Sequence, residues 1–119
     1  MPWQFHNRSP VFVQIADRVR ADILEGKYPA NTQIPSVRQL AFEASVNPNT
    51  MQHALVQLES EGLLISRGTL GRFVTSEFAV LETARASRHA EIMRTLLEDA
   101  LSQGITKRAL LEFIQKEIM

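Results

Sequence analysis

The chain has 119 residues, 45% of them hydrophobic and 22% charged, enough for one compact domain plus an appendage and too apolar for wholesale disorder. Thirteen basic and 13 acidic residues cancel to a formal net charge of zero, and the absence of cysteine excludes disulfides, thiol catalysis and cysteine-based zinc sites. The opening Met1-Pro2-Trp3-Gln4-Phe5-His6 lacks the basic-then-apolar layout of a secretion signal, and no apolar stretch reaches bilayer-spanning length, so a soluble cytoplasmic protein is expected, with no membrane partner.

Pro10 to about Leu24 reads as an amphipathic helix. Phe12, Ile15, Ala16, Val19 and Ile23 form its apolar stripe, Ser9 is its expected N-cap with Pro10 at the first helical position, and Gly26 is its stop. Turn residues then crowd positions 29–35, and Tyr28 is expected to pack in the core. Ser36 caps a short second helix that buries Val37, Leu40 and Ala41 and ends near Ala44-Ser45. Asn47, with Pro48 at the first helical position, starts a third helix that runs to about Glu61 and stops at Gly62. Residues 63–66 and 71–75 read as two short strands around a Gly-containing loop. Residues 78–103 then carry a long helical series ended by Gly104, and Thr106 caps a last helix.

Two short helices joined by a turn and followed by a hairpin make a winged helix-turn-helix, a shape that places one helix in the DNA major groove. The fold class is therefore mainly α with a small β-hairpin. Residues 1–76 form the winged DNA-binding domain, and residues 77–119 a two-helix hairpin used for dimerisation. On its own that hairpin leaves an apolar stripe without a partner. Its pairing residues are expected at Leu81, Ile92, Met93, Leu96, Leu97, Leu101, Leu110, Phe113 and Ile114.

The zero net charge argues weakly against nucleic acid, but the distribution matters more. No acid occurs from Ala44 to Leu58, and from Gly62 to Ser76 the only charges are Arg67 and Arg72. Ser36 and Arg38 open the second helix, where backbone N–H groups and a guanidinium can hold a phosphate. Asn47, Asn49, Thr50, Gln52 and His53 open the third, the stretch that reaches base edges. Arg67, Gly68, Thr69 and Arg72 sit at the wing, where an Arg can enter the minor groove or hold phosphate. Each has a plainer reading: Ser36 caps a helix whatever the function, Arg38 also suits a solvated surface, and Asn47 and Asn49 are ordinary turn residues. Glu59 and Glu61 are expected to be solvated near a helix end, not paired for catalysis.

An enzyme would need another pattern. His6, His53 and His89 are scattered, and the carboxylate nearest to any of them, Glu91, is two residues from His89 and so points to another helix face. There is no nucleophile elbow, phosphate-binding loop or dinucleotide fingerprint, so neither catalysis, metal nor cofactor is expected.

Taken together these residues resemble the GntR family of bacterial transcription regulators. The matching elements are Ile23-Leu24-Glu25-Gly26-Lys27-Tyr28, Ile34-Pro35-Ser36-Val37-Arg38-Gln39-Leu40-Ala41, Val46-Asn47-Pro48-Asn49-Thr50, Ala54-Leu55, Leu58-Glu59-Ser60-Glu61-Gly62-Leu63-Leu64, and Arg67-Gly68 with Gly71-Arg72-Phe73-Val74. They cover about residues 10–76. Ile34 and Gln39 stand where Leu and Glu are commoner. The recognition helix opens Asn47-Pro48-Asn49-Thr50 instead of the usual Ser-Arg before Thr, and the tail is short, both like the YtrA-type subfamily. The resemblance implies a small homodimeric repressor, paired through its C-terminal helices, on a palindromic double-stranded operator. It places DNA contacts on Ser36, Arg38, Asn47, Asn49, Thr50, Gln52, Arg67, Gly68 and Arg72. Met93, Phe113 and Met119 are expected first as plain interface core; the second reading has them line a cavity between the C-terminal helices and the wing domain for a small-molecule effector of unknown identity. The alternative kept open is a winged-helix protein-interaction module without specific DNA binding.

Overall fold

The computed structural model describes residues 2–118, which form five α-helices and one two-stranded sheet. In chain order these are α1 (Val11–Leu24), α2 (Val37–Ala44), α3 (Pro48–Ser60), β1 (Leu64–Ser66), β2 (Arg72–Val74), α4 (Phe78–Ser102) and α5 (Lys107–Ile118). The chain divides into two compact units, one ending at Thr83 and the other beginning at Ala84.

The first unit is built on three helices. α3 packs against α1, α2 and β1, and between them Ile15, Val19, Leu40, Met51, Leu55 and Leu58 are sealed from water. The helix starts follow the sequence signals at two places and depart from them at one. Ser36 Oγ accepts a hydrogen bond from the Gln39 amide at 3.1 Å, and Asn47 Oδ1 accepts one from the Asn49 amide at 2.7 Å. Ser9, expected to cap α1, does not. Pro10 occupies that position with φ −56° and ψ 144°, without a side-chain cap, because its ring already fixes the dihedral a helix entry needs. The Ser9 carbonyl instead accepts from the Gln14 side-chain Nε2 at 2.9 Å.

The turn between α2 and α3 is carried by Ser45 in the left-handed region, φ 58° and ψ 47°. Its neighbour closes the end of α2, with the Val46 amide donating to the Ala41 carbonyl at 3.0 Å. This is the position that usually selects glycine, since a Cβ there costs roughly 1–2 kcal/mol.

The sheet pairs Leu64 with Val74, Ile65 with Phe73 and Ser66 with Arg72 in antiparallel register. Its strands are shorter than the expected 63–66 and 71–75, and residues 68–70 form a single 3-10 turn at the tip. Sequence inspection gives no hint of a third participant. Residues 31–34 run along the other edge of β2: the Asn31 amide donates to the Val74 carbonyl at 3.0 Å, the Val74 amide to the Thr32 carbonyl at 2.9 Å, and the Ile34 amide to the Arg72 carbonyl at 3.0 Å.

The second unit comprises the remainder of α4 and α5. Thr106 Oγ1 caps α5 by accepting from the Ala109 amide at 3.1 Å, and Gly104 breaks the helices at φ 88°. α5 scarcely touches α4, and among the described residues of this unit no side chain is buried. Where a closed helical hairpin would cover its facing stripes, here both stripes stay open. Leu81, expected with the pairing residues, differs from the rest. It is 6% exposed and belongs to the first unit, so its side chain is consumed by the core there and is not available to a partner.

Candidate nucleic-acid interface

Three segments of the first unit carry the expected site residues. At the start of α2, the Ser36 hydroxyl oxygen is occupied by its capping bond while Arg38 is exposed. At the start of α3, the Asn47 side-chain oxygen is likewise used for capping. Asn49, Gln52 and His53 are exposed and Thr50 is half-buried. The opposite face of α3 carries Met51, Ala54, Leu55 and Leu58 into the core, so the outward face is left to polar side chains. His53 does not stand free: its ring stacks on Phe12 of α1, with centroids 3.7 Å apart and planes 11° from parallel.

The wing supplies the third segment. The Arg67 amide donates to the Gly71 carbonyl at 2.9 Å and closes the loop, leaving Gly68, Thr69 and Leu70 exposed at its tip. Both wing arginines are held by the protein. The Arg67 guanidinium lies 4.4 Å from the centre of the Phe73 ring and donates to Asn31 Oδ1 at 2.8 Å. Arg72 is paired through Nε with Glu59 Oε1 and donates from Nη1 to Gln52 Oε1 at 3.1 Å. Wing and helix are thereby joined side chain to side chain. A hollow of about 210 Å³ also brings Ser36 and Val37 of the α2 start opposite Ser66, Gly68 and Arg72 of the wing. Gly71 is fixed at φ 104°, and a Cβ there would stand 2.8 Å from the Gln33 side chain, which bonds the Leu70 carbonyl.

Glu59 and Glu61, expected to be merely solvated, are both engaged. Glu59 anchors Arg72. Glu61 meets Arg20 of α1 in a two-point pair, Nε to Oε1 at 2.8 Å and Nη2 to Oε2 at 2.6 Å, with Asp17 on the third guanidinium nitrogen at 2.7 Å. The hydrogen bonds from Arg20 hold the Glu61 carboxyl below its usual range against the opposing effect of burial, and the Arg20 guanidinium is raised in return. The partners are 41 residues apart in one case and 13 in the other, so no local spacing announces them. The signal that could have flagged Glu59 is its place: it closes the acid-free run one position after Leu58. Tyr28 is half-buried, not core, and burial raises its phenol.

Among the described residues no cluster of three or more His, Asp or Glu side chains is placed to hold a metal, and no helix is long and apolar enough to cross a membrane. Met93 and Phe113 are 62% and 61% exposed, and Met119 lies outside the described residues.

A capped short helix, an outward polar helix and an arginine-bearing hairpin define a winged helix-turn-helix of the DNA-binding kind. Residues 12–74 match the gntR family of bacterial regulatory proteins, and the chain belongs to that family. The HTH-type transcriptional regulator YhcF of Bacillus subtilis is 27% identical over 112 residues, covering 94% of this chain and 93% of that protein. The HTH-type transcriptional repressor YtrA of the same organism is 28% identical, covering 91% and 84%. Among solved structures, a GntR family transcriptional regulator from Listeria monocytogenes superposes with a TM-score of 0.83 at 25% identity, over 94% of this chain and 98% of that one. The DNA-binding domain of AraR in complex with operator ORX1 superposes at 0.57 and 27% identity, over 60% and 93%. The protein is thus a transcriptional regulator with a DNA-binding winged-helix domain, related to YtrA-type regulators, in a family of transcription regulators that are in general non-enzymatic.

Proposed function

We propose that the protein is a cytoplasmic homodimeric repressor that binds a two-fold palindromic operator. The observation that carries the dimer is the open apolar face of the second unit. Ile92, Met93, Leu96, Leu97 and Leu101 on α4 and Phe113 and Ile114 on α5 all stay 36–65% exposed in the single chain. Apolar surface of that extent needs a partner, and a second copy brings the same stripe to it. Dimerisation sets two copies of α3 about one DNA turn apart, which requires a palindrome.

In this reading Arg38 and the N–H groups after Ser36 hold phosphate, and Asn49, Thr50 and Gln52 face base edges. Asn47 serves mainly as the cap, with its NH₂ available to the backbone. His53 braces α3 against α1 through Phe12 while its exposed edge meets phosphate. Arg67, Gly68 and Thr69 carry the wing to the flanking groove, and Arg72 braces the wing against α3. YtrA, described as a repressor, supports the direction of control. No catalytic step and no cofactor is assigned, and an effector would act by favouring one arrangement of the dimer.

Selection of bound duplexes from a random pool at near-physiological salt, paired with light scattering, tests the dimer and its palindromic operator. The expected result is an enriched palindrome and a dimer mass. A folded dimer that enriches nothing would favour the protein-interaction alternative, to which the zero net charge and the 86%-exposed Phe42 side chain on α2 also lend weight.

A further inference from the structure

Three side chains link the recognition helix to the wing. Glu59 and Gln52 lie seven residues apart on α3, two turns along one face, and Arg72 of β2 meets both. The Arg72 side chain is 15% exposed and the Glu59 side chain 28%, so this is a sheltered pair rather than a loose surface contact. Gln52, in contrast, is exposed on the outward face.

A guanidinium has donors and no acceptor. The Gln52 atom facing Arg72 must therefore be its oxygen, and the NH₂ is the end left over. Glutamine reads adenine by turning both ends to the base, oxygen to the N6 amine and nitrogen to N7. Arg72 takes one of the two lone pairs of that oxygen and turns it toward the wing, which weakens the two-point approach to adenine. The free NH₂ is a donor only. It is complementary to the paired acceptors O6 and N7 of guanine and to O4 of thymine, whereas adenine offers it N7 alone beside an opposing amine and cytosine offers only an amine.

Resting on the DNA-reading function, we propose that Arg72, anchored by Glu59, is a positioning residue. It fixes the Gln52 amide as a donor, so that the operator position met by Gln52 carries guanine or thymine in place of adenine. The wing then contributes to base choice without touching a base.

The test is base selection by the full chain and its variants from a random duplex pool, with thermal melts to establish folding. Gln52→Ala identifies the position by losing its preference. The native chain is expected to favour guanine or thymine there by about tenfold over adenine. Arg72→Met and Glu59→Ala are expected to erase that preference and raise adenine, while Arg72→Lys, which still offers a donor to the Gln52 oxygen, keeps part of it and retains the fold. In a Gln52→Ala background Arg72→Met should change nothing further at that position. Three results overturn the proposal. One is a native preference for adenine. Another is Arg72→Met leaving the preference intact while lowering affinity evenly and the salt slope by about one, which makes Arg72 a phosphate contact only. The third is the native chain enriching no sequence, which removes DNA reading itself and the relay with it.

Discussion

In the first unit Ile15, Leu40, Met51, Leu55 and Leu58 are shielded completely within one chain, whereas in the second Met93, Leu96, Leu111 and Phe113 stay 60% exposed or more. Both regions have capped helices with apolar periodicity. The difference is what the periodic face meets. α1 and α2 close on α3, and among the described residues the 12-residue α5 buries no side chain. A helix of that length is marginal in water by itself, so in the proposed dimer α5 is expected to draw its stability from the partner. Local signals decide that a helix forms; only a second surface decides what it is for.

The contrast can be broken from either side. Leu55→Ala removes a fully buried side chain at the centre of the first unit and should cost about 2–5 kcal/mol in denaturant unfolding. A loss below 1 kcal/mol would mean the cavity collapses and the core is less tightly set than its burial implies. The double change Leu97→Glu with Leu101→Glu should leave the melting of the first unit in place. It should also halve the mass seen by light scattering and weaken operator binding by about a hundredfold, as the two reading heads lose their linkage. A double variant that stays dimeric puts the pairing surface elsewhere.

Two smaller changes sharpen the account of the first unit. Glu61→Gln loses the two-point pair with Arg20, a partly exposed contact worth about 1 kcal/mol. Because the folded Glu61 carboxyl is held below its unfolded value of about 4.3, its contribution is complete above that value and is lost as pH falls through the folded one. The native chain should therefore lose stability more steeply on acidification than the variant. Equal acid limbs would show the pair to be silent. Ser45→Gly relieves the left-handed strain at the helix-turn-helix corner and should gain about 0.5 kcal/mol, the relief being partly offset by a more flexible unfolded chain. A loss in its place would show that the Ser45 side chain itself supports the turn.

Much of this was legible in the residues. Ser36 and Asn47 cap the helices they were expected to cap, Gly104 breaks the tail where the periodicity stops, and the two strands pair around the expected loop. These features depend on residues within a few positions of each other. What stayed hidden depends on distance in the chain. The Arg20–Glu61 and Arg72–Glu59 pairs, the Arg67–Asn31 bond and the Phe12–His53 stack all join separate segments, and nothing local distinguishes such side chains from solvated ones. Leu81 was misplaced for a related reason: it shares the apolar series of the tail, but the first turns of α4 belong to the wing unit. The packing of the N-terminal arm has no local signal either. It has no periodicity, yet Arg18 covers the Trp3 ring at 4.3 Å and the Gln14 side chain bonds the His6 carbonyl at 2.8 Å.

The strip formed by residues 31–34 along β2 has a mechanical consequence. It leads directly into Pro35 and the Ser36 cap, so the wing and the start of α2 are one stiff lever and not two independent fingers. The Ile34 and Val74 amides should be slow to exchange with solvent for as long as that lever holds, while the exposed tip at Gly68–Leu70 accepts added length without disturbing it. A chain with extra residues inserted at the tip would keep the geometry of the lever; the same insertion between Thr32 and Gln33 would uncouple the wing from the helix it steers.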